Sequence, residues 1–323
     1  MIYGFWHHDE LKVNTTGWVE MDGGGPATSH GVGALAGVKV LAVAARYQVP
    51  SLLSKGAEKM KIGRFLAMGA TLLLASISLN VAQASTLVVG VYPSNPPWEN
   101  KTPAGDFEGF EVDVVREVAK RIGVELEFQD SGFQALFAAL SSGRIDMAIS
   151  SITITDERLK SQSFAQGYYD TDLGLVAPTD SPLKSLEDMR GKTVGVIAAT
   201  VSEVWVKKNQ EKYGFGDLRT YNTSQELLLD TQSGRLDGLV NDYTALQFVM
   251  KKMPGLKMVE RIPAGDAFSI MMKKDSPLLV QVNDAISKMK KDGTMAAFHK
   301  KWLGFEADPD SSVLKIMPIP TAK

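Results

Sequence analysis

Ser142-Gly143-Arg144-Ile145-Asp146 returns 91 residues later as Ser233-Gly234-Arg235-Leu236-Asp237. An amphipathic apolar stretch precedes each copy, and a short apolar strand follows it. Each strand ends in a pair of small polar residues, Ser150-Ser151 and Asn241-Asp242. Self-similarity at a fixed spacing is the mark of a repeated structural unit. Two α/β units with polar strand ends point to two lobes facing each other, because open α/β sheets bind ligands outside the carboxyl ends of their strands. Ser-Gly-Arg is also an ordinary helix-to-strand connector, so the repeat alone leaves a coincidence of turn chemistry open.

The N-terminal third reads differently. Met60 to Arg64 is a short basic start, Phe65 to Leu79 is apolar and small, and Ala82-Gln83-Ala84 is a small-x-small signature. That order predicts a secretory signal peptide over 60–84, cleaved after Ala84, and hence a periplasmic protein. Residues 1–59 are read as an over-extended start, with translation beginning at Met60. The remaining 85–323 is long enough for two modest lobes.

With a formal net charge of −2 the chain is mildly acidic, which argues against nucleic acid as a partner. It has no cysteine, hence no disulfide, thiol nucleophile or cysteine metal site. Beyond residue 84 the one histidine is His299. It is expected on a solvated helix face, and neither a Ser-His-Asp triad nor a histidine zinc site can be built around it. No metal and no cofactor is expected.

Hydrophobic periodicity places strands at Leu87 to Val91, Leu126 to Phe128, Met147 to Ile149 and Thr193 to Ile197. Helices are expected at Phe110 to Ile122, Phe133 to Leu140, Val201 to Tyr213, Ser224 to Ser233, Asp242 to Met253, Pro277 to Asp292 and Thr294 to Leu303. In the first helix Val112, Val115, Ala119 and Ile122 share a face, with Glu111 off it. A strand from about Leu173, and another over Phe268 to Met272 after a Pro/Gly loop, complete the pattern. Alternating strands and helices imply α/β architecture with parallel pairing.

Three segments carry a resemblance. They are Gly109-Phe110-Glu111-Val112-Asp113-Val114, then Ser150 to Arg158 (SSITITDER), then Lys291-Asp292-Gly293-Thr294 with Lys301-Trp302-Leu303-Gly304. In this order they resemble family 3 of the bacterial extracellular solute-binding proteins, over roughly Thr86 to Gly304. The resemblance implies a two-lobed periplasmic-binding-protein fold of type II, two α/β lobes joined by a two-crossover hinge. It also implies an amino acid ligand and an ABC importer permease as partner. Lobe 1 would be 85–170 completed by 268–323, and lobe 2 would be 171–267. The chain is expected to act as a monomer.

A free amino acid carries a carboxylate and an ammonium, and a buried site must satisfy both. Arg158 suits the carboxylate through its planar fork, and Thr155 before it is a plausible helix N-cap. Asp242 suits the ammonium. Ser151 and Thr153 offer a carbonyl and a hydroxyl at the matching strand end. The resemblance assigns the same roles to Arg158 and Asp242 and makes Phe133 an aromatic that stacks on the ligand. It places Tyr92 and Asn95 where relatives read the ligand side chain. Trp98 is a second candidate wall. The backbone amide of Val201 can meet a carboxylate, and Asn241 adds a neutral amide. Ala199 stands where many relatives have glycine. Relatives selective for basic amino acids carry aspartate at the Tyr92 position, so a polar or neutral amino acid is expected. A second reading is a cyclohexadienyl-acid dehydratase on the same fold, with Glu99, Glu203 or Asp242 as general acid.

Overall fold

The computed structural model describes residues 85–323. The expected signal peptide and the segment before it lie outside the described residues. In chain order the strands are β1 (Thr86–Val91), β2 (Ser94–Asn95), β3 (Glu99–Lys101), β4 (Phe107–Glu108), β5 (Glu125–Asp130), β6 (Met147–Ile149), β7 (Gln162–Phe164), β8 (Tyr169–Pro178), β9 (Val194–Ile197), β10 (Leu218–Tyr221), β11 (Gly238–Asp242), β12 (Leu256–Phe268) and β13 (Met271–Lys273). The helices are α1 (Phe110–Ile122), α2 (Phe133–Ser141), α3 (Asp156–Ser161), α4 (Val201–Lys208), α5 (Gln210–Tyr213), α6 (Ser224–Gln232), α7 (Tyr243–Met250), α8 (Leu279–Lys291) and α9 (Thr294–Leu303).

Two five-stranded sheets are laid out alike. One has the order β5-β1-β6-β13-β7 and the other β10-β9-β11-β8-β12. In each, the first three strands are parallel and the last two pair antiparallel. The first sheet takes its fourth strand from late in the chain. Two long strands, β8 and β12, therefore run side by side between the lobes. They are paired from Phe268↔Tyr169 to Leu256↔Pro178, with the register slipping between Ile262 and Asp266. Each sheet is covered on both faces by apolar clusters. Val112, Val115, Ile286 and Met289 pack in one cluster of the first lobe, and Leu136, Leu140 and Ile145 in the other. In the second lobe Val194, Val196 and Val206 belong to one cluster, and Leu227, Leu236 and Leu246 to the other.

The repeat is a structural unit with a physical cause for each residue. Gly143 and Gly234 both adopt φ 75, the left-handed turn that ends a helix and redirects the chain. Ile145 and Leu236 are fully buried against the second strand of their sheets, β1 and β9. They come so close that a Cβ on Gly90 would lie 2.5 Å from Ile145 Cδ1, and one on Gly195 2.4 Å from Leu236 Cδ1. Asp146 accepts the backbone N–H of Val88 at 2.8 Å, and Asp237 accepts that of Thr193 at 2.8 Å. Each aspartate thus seals a donor near the start of that second strand.

Four expectations change. His299 is buried, not solvated. Its ring stacks on Tyr169 at 5.9 Å and its Nδ1 lies 3.0 Å from the Phe305 carbonyl. The helix expected over Val201 to Tyr213 breaks at Asn209, whose side-chain amide bonds the Trp205 carbonyl. The expected Pro/Gly loop before Phe268 is strand: Pro263 and Gly265 lie in β12, an edge strand whose irregular register tolerates them. Glu111, placed off the apolar face of α1, is completely buried.

Candidate functional site

Nine of the ten residues singled out line one cavity between the lobes, and Trp98 does not. The first lobe contributes from the loop after β6. Ser151 sits at φ 45, a left-handed conformation uncommon for a residue with a Cβ. Its N–H donates to Glu111 Oε2 at 2.6 Å, and its hydroxyl accepts from the Asn95 amide at 2.8 Å. Two lobe-1 groups therefore hold this turn open toward the cleft.

Thr155 caps α3 by accepting the Arg158 N–H at 3.2 Å, which fixes where the arginine leaves the backbone. The half-buried guanidinium donates to the Thr153 carbonyl at 2.7 Å and, across the cleft, to the Ala199 carbonyl at 3.1 Å. It lies over the rings of Phe137 and Phe133 at 5.1 and 5.8 Å. Burial lowers its pKa to about 10, with the Asp266 charge opposing. Arg158 remains a cation at neutral pH.

The second lobe answers with helix N-termini. Thr200 caps α4, and Val201 opens its first turn, where N–H groups have no intrahelical acceptor. Ala199 also adopts a left-handed φ of 63. Asp242 ends β11 and caps α7: Oδ1 accepts from Ala245 N–H at 2.6 Å and from Trp98 Nε1 at 3.1 Å. Its Oδ2 accepts from Thr171 Oγ1 at 2.5 Å, which leaves that oxygen one lone pair. Burial raises the Asp242 pKa.

Trp98 is corrected from wall to support. It is completely buried, edge-on to Phe110, Tyr169 and Phe268, and reaches the site through its bond to Asp242. The indole needs a buried acceptor, and the carboxylate supplies it. Tyr92 also bridges the lobes. Its phenol oxygen accepts the N–H of Ser224 at 2.7 Å, its ring stands edge-on to Phe133, and burial raises its pKa. Asn241 lines the cleft beside Asp242.

Sequence reasoning missed Thr171, Ser224 and the pairing of Glu99, offered only as a general acid, with Glu111 below Ser151. Glu111 accepts from Ser151 N–H and from the Tyr168 hydroxyl, and burial raises its pKa. Glu99 accepts from the Asn95 amide at 3.2 Å, while its buried Oε2 has no hydrogen-bond partner. Burial first, then the Glu111 charge, holds Glu99 well above the usual carboxylate range. Glu111 lies inside the Gly109–Val114 motif. Gly109 before it, at φ 141, passes so close that a Cβ would stand 2.1 Å from the Trp98 carbonyl oxygen.

The profile of the bacterial extracellular solute-binding proteins, family 3, matches residues 87–305. The chain belongs to this family. It is similar to the L-cystine-binding protein TcyJ of Escherichia coli (strain K12), 33% identical over 232 residues, covering 69% of this chain and 85% of that protein. It is also similar to the ABC transporter arginine-binding protein 1 of the same organism, 27% identical over 236 residues, covering 71% and 96%. Solved structures of an ancestral arginine-binding protein bound to arginine and bound to glutamine align with TM-scores of 0.64 and 0.65. They are 36% and 34% identical, covering 68% and 69% of this chain and 98% and 100% of those chains. The fold is the two-lobed type II binding-protein fold of these family 3 relatives. The relatives are binding proteins, and two acids offered for an elimination are not free in the cleft. Glu99 is buried beneath it, and Glu203 is held by Lys207 Nζ and Ala199 N–H. The relatives give a dehydratase no support.

Proposed function

We propose that the chain is a periplasmic receptor that captures a free polar or neutral amino acid between its lobes and hands it to an ABC importer without chemical turnover. The carrying observation is the opposition of one cation, Arg158, and one anion, Asp242, in a single buried cleft. A zwitterion satisfies both, and neither charge is left unpaired. Arg158 takes the carboxylate, helped by the first-turn amide of Val201 and the hydroxyl of Thr153. Asp242 takes the ammonium with its remaining lone pair, beside Ser151. Phe133 forms the apolar wall. Tyr92, Asn95 and Asn241, all uncharged, read the side chain.

Lobe 1 is 85–170 with 268–323, lobe 2 is 171–267, and the lobes close about segments 171–173 and 265–267. A ligand held from both sides favours closure by its differential affinity. The receptor is exported by the 60–84 signal peptide and acts as a monomer. The test is calorimetric titration of the protein, unfolded and refolded to strip carried ligand, against single amino acids. Tight binding of one or a few without product establishes the receptor. Silence across the panel, or turnover, overturns it.

A further inference from the structure

Beside the charged cleft lies a second cavity of about 330 Å³, against about 40 Å³ for the first. The two are continuous: Asn95, Ser224 and Asn241 line both. Lobe 1 supplies Ser94, Pro96 and Asn100 to the second cavity. Lobe 2 supplies α6 and α7, with Leu228, Leu246 and Val249 as its apolar floor. Ala245, whose N–H bonds Asp242, lines it too, so it opens on the side of the site that would hold the ligand's amine. Its polar groups are amides and hydroxyls, and no lining residue is charged.

We infer that this cavity is a second subsite, which takes the distal part of an elongated, uncharged ligand whose amino acid head sits between Arg158 and Asp242. The inference rests on the amino acid reading of the cleft. The first chamber is tight. Arg158 and Tyr92 bond across the lobes there, and the wall shared with the second cavity, on the amine side, gives a bulky extension a way out. A cavity of a few hundred Å³ with apolar walls and a few polar groups is the usual form of a small-molecule pocket. A cationic end would meet no carboxylate among the lining residues, whereas a urea or amide end finds hydrogen-bond partners in Asn100, Gln225 and Ser94. Because both lobes line the subsite, filling it adds to the energy that favours closure.

L-Citrulline and L-arginine have side chains of equal length that differ in end charge, and L-alanine has no extension. Titrated into the refolded full chain, citrulline is expected to bind about tenfold tighter than arginine, whose cationic end finds no carboxylate in this cavity and must be partly desolvated there. Val249→Trp fills the cavity and is expected to lower the citrulline-to-alanine affinity ratio by about tenfold. Gln225→Glu, at an exposed rim position that does not endanger folding, is expected to raise the arginine-to-citrulline ratio about fivefold. Arginine binding as well as citrulline in the parent protein, or ratios unmoved by both variants, overturns the subsite while leaving the amino acid reading standing. Failure of every amino acid to bind the parent protein overturns that reading itself.

Discussion

In the first lobe the repeat strand ends in Ser150-Ser151, and in the second it ends in Asn241-Asp242. Up to that point the two corners match in helix end, left-handed glycine, buried aliphatic and strand-sealing aspartate. Beyond it they part. The first chain end turns through a left-handed serine and must travel to Thr155 before a helix begins. The second enters α7 at once, with Asp242 as cap. The first lobe therefore carries its cation on a separate short helix over two phenylalanines. The second sets its anion in the strand end itself. The shared corner supplies position, and the last two residues supply charge. Divergence of two equivalent corners after the same aspartate is how one fold unit brings one charge of each sign to the same cleft.

The matching part can be broken symmetrically. Ile145→Ala and Leu236→Ala each remove a completely buried side chain, and each is expected to cost about 3 kcal/mol in chemical denaturation. A large loss in one lobe and none in the other would deny that the corners are equivalent. The diverging part is tested next. Arg158→Ala is expected to weaken amino acid binding by about 3 kcal/mol, roughly a hundredfold or more in calorimetry. Wild-type affinity would remove the carboxylate role. Asp242→Asn keeps a good helix cap, so thermal stability should hold. Binding of an intact amino acid should fall by about 2 kcal/mol, with little loss for an analogue lacking the ammonium. Equal loss for both ligands would make Asp242 a structural residue.

The smallest effect sharpens the comparison through pH. Glu99 and Glu111 have folded pKa values raised above 4.5. The folded state therefore binds more protons than the unfolded chain once pH exceeds that value. The stability associated with these groups is full below it and is lost as pH rises through the folded values. Glu99→Gln removes one of the two carboxyls and should flatten the decline in stability as pH rises above the ordinary carboxylate range, read from melting temperatures across a pH series. An unchanged slope would exonerate the pair. The carboxyls lie beneath Ser151, so the effect belongs to the first lobe.

Much of this was legible before any coordinates. The repeat pointed to two facing lobes because its glycine, aliphatic and aspartate each answer a backbone need that the alphabet expresses directly. Arg158 and Asp242 were legible as cleft residues because one lies in the motif that follows the first repeat strand and the other ends the second. Glu111 was not, since a carboxylate on a helix looks the same in sequence whether it meets water or a tyrosine hydroxyl. Trp98 followed two prolines, which marks a loop but not the direction of a ring. His299 sat among lysines, and its burial depends on Tyr169, 130 residues earlier. Pro263 and Gly265 read as loop because edge-strand status is a property of the assembled sheet.

The paired strands β8 and β12 form a two-stranded ribbon whose ladder is interrupted twice, between Met258 and Glu260 and, more widely, where Ile262↔Leu173 gives way to Asp266↔Thr171. A ribbon flexes across its thin direction and resists bending within its plane, and it yields first where rungs are missing. Built this way, the pair is a leaf spring with two notches, the wider one beside Thr171, whose hydroxyl bonds Asp242.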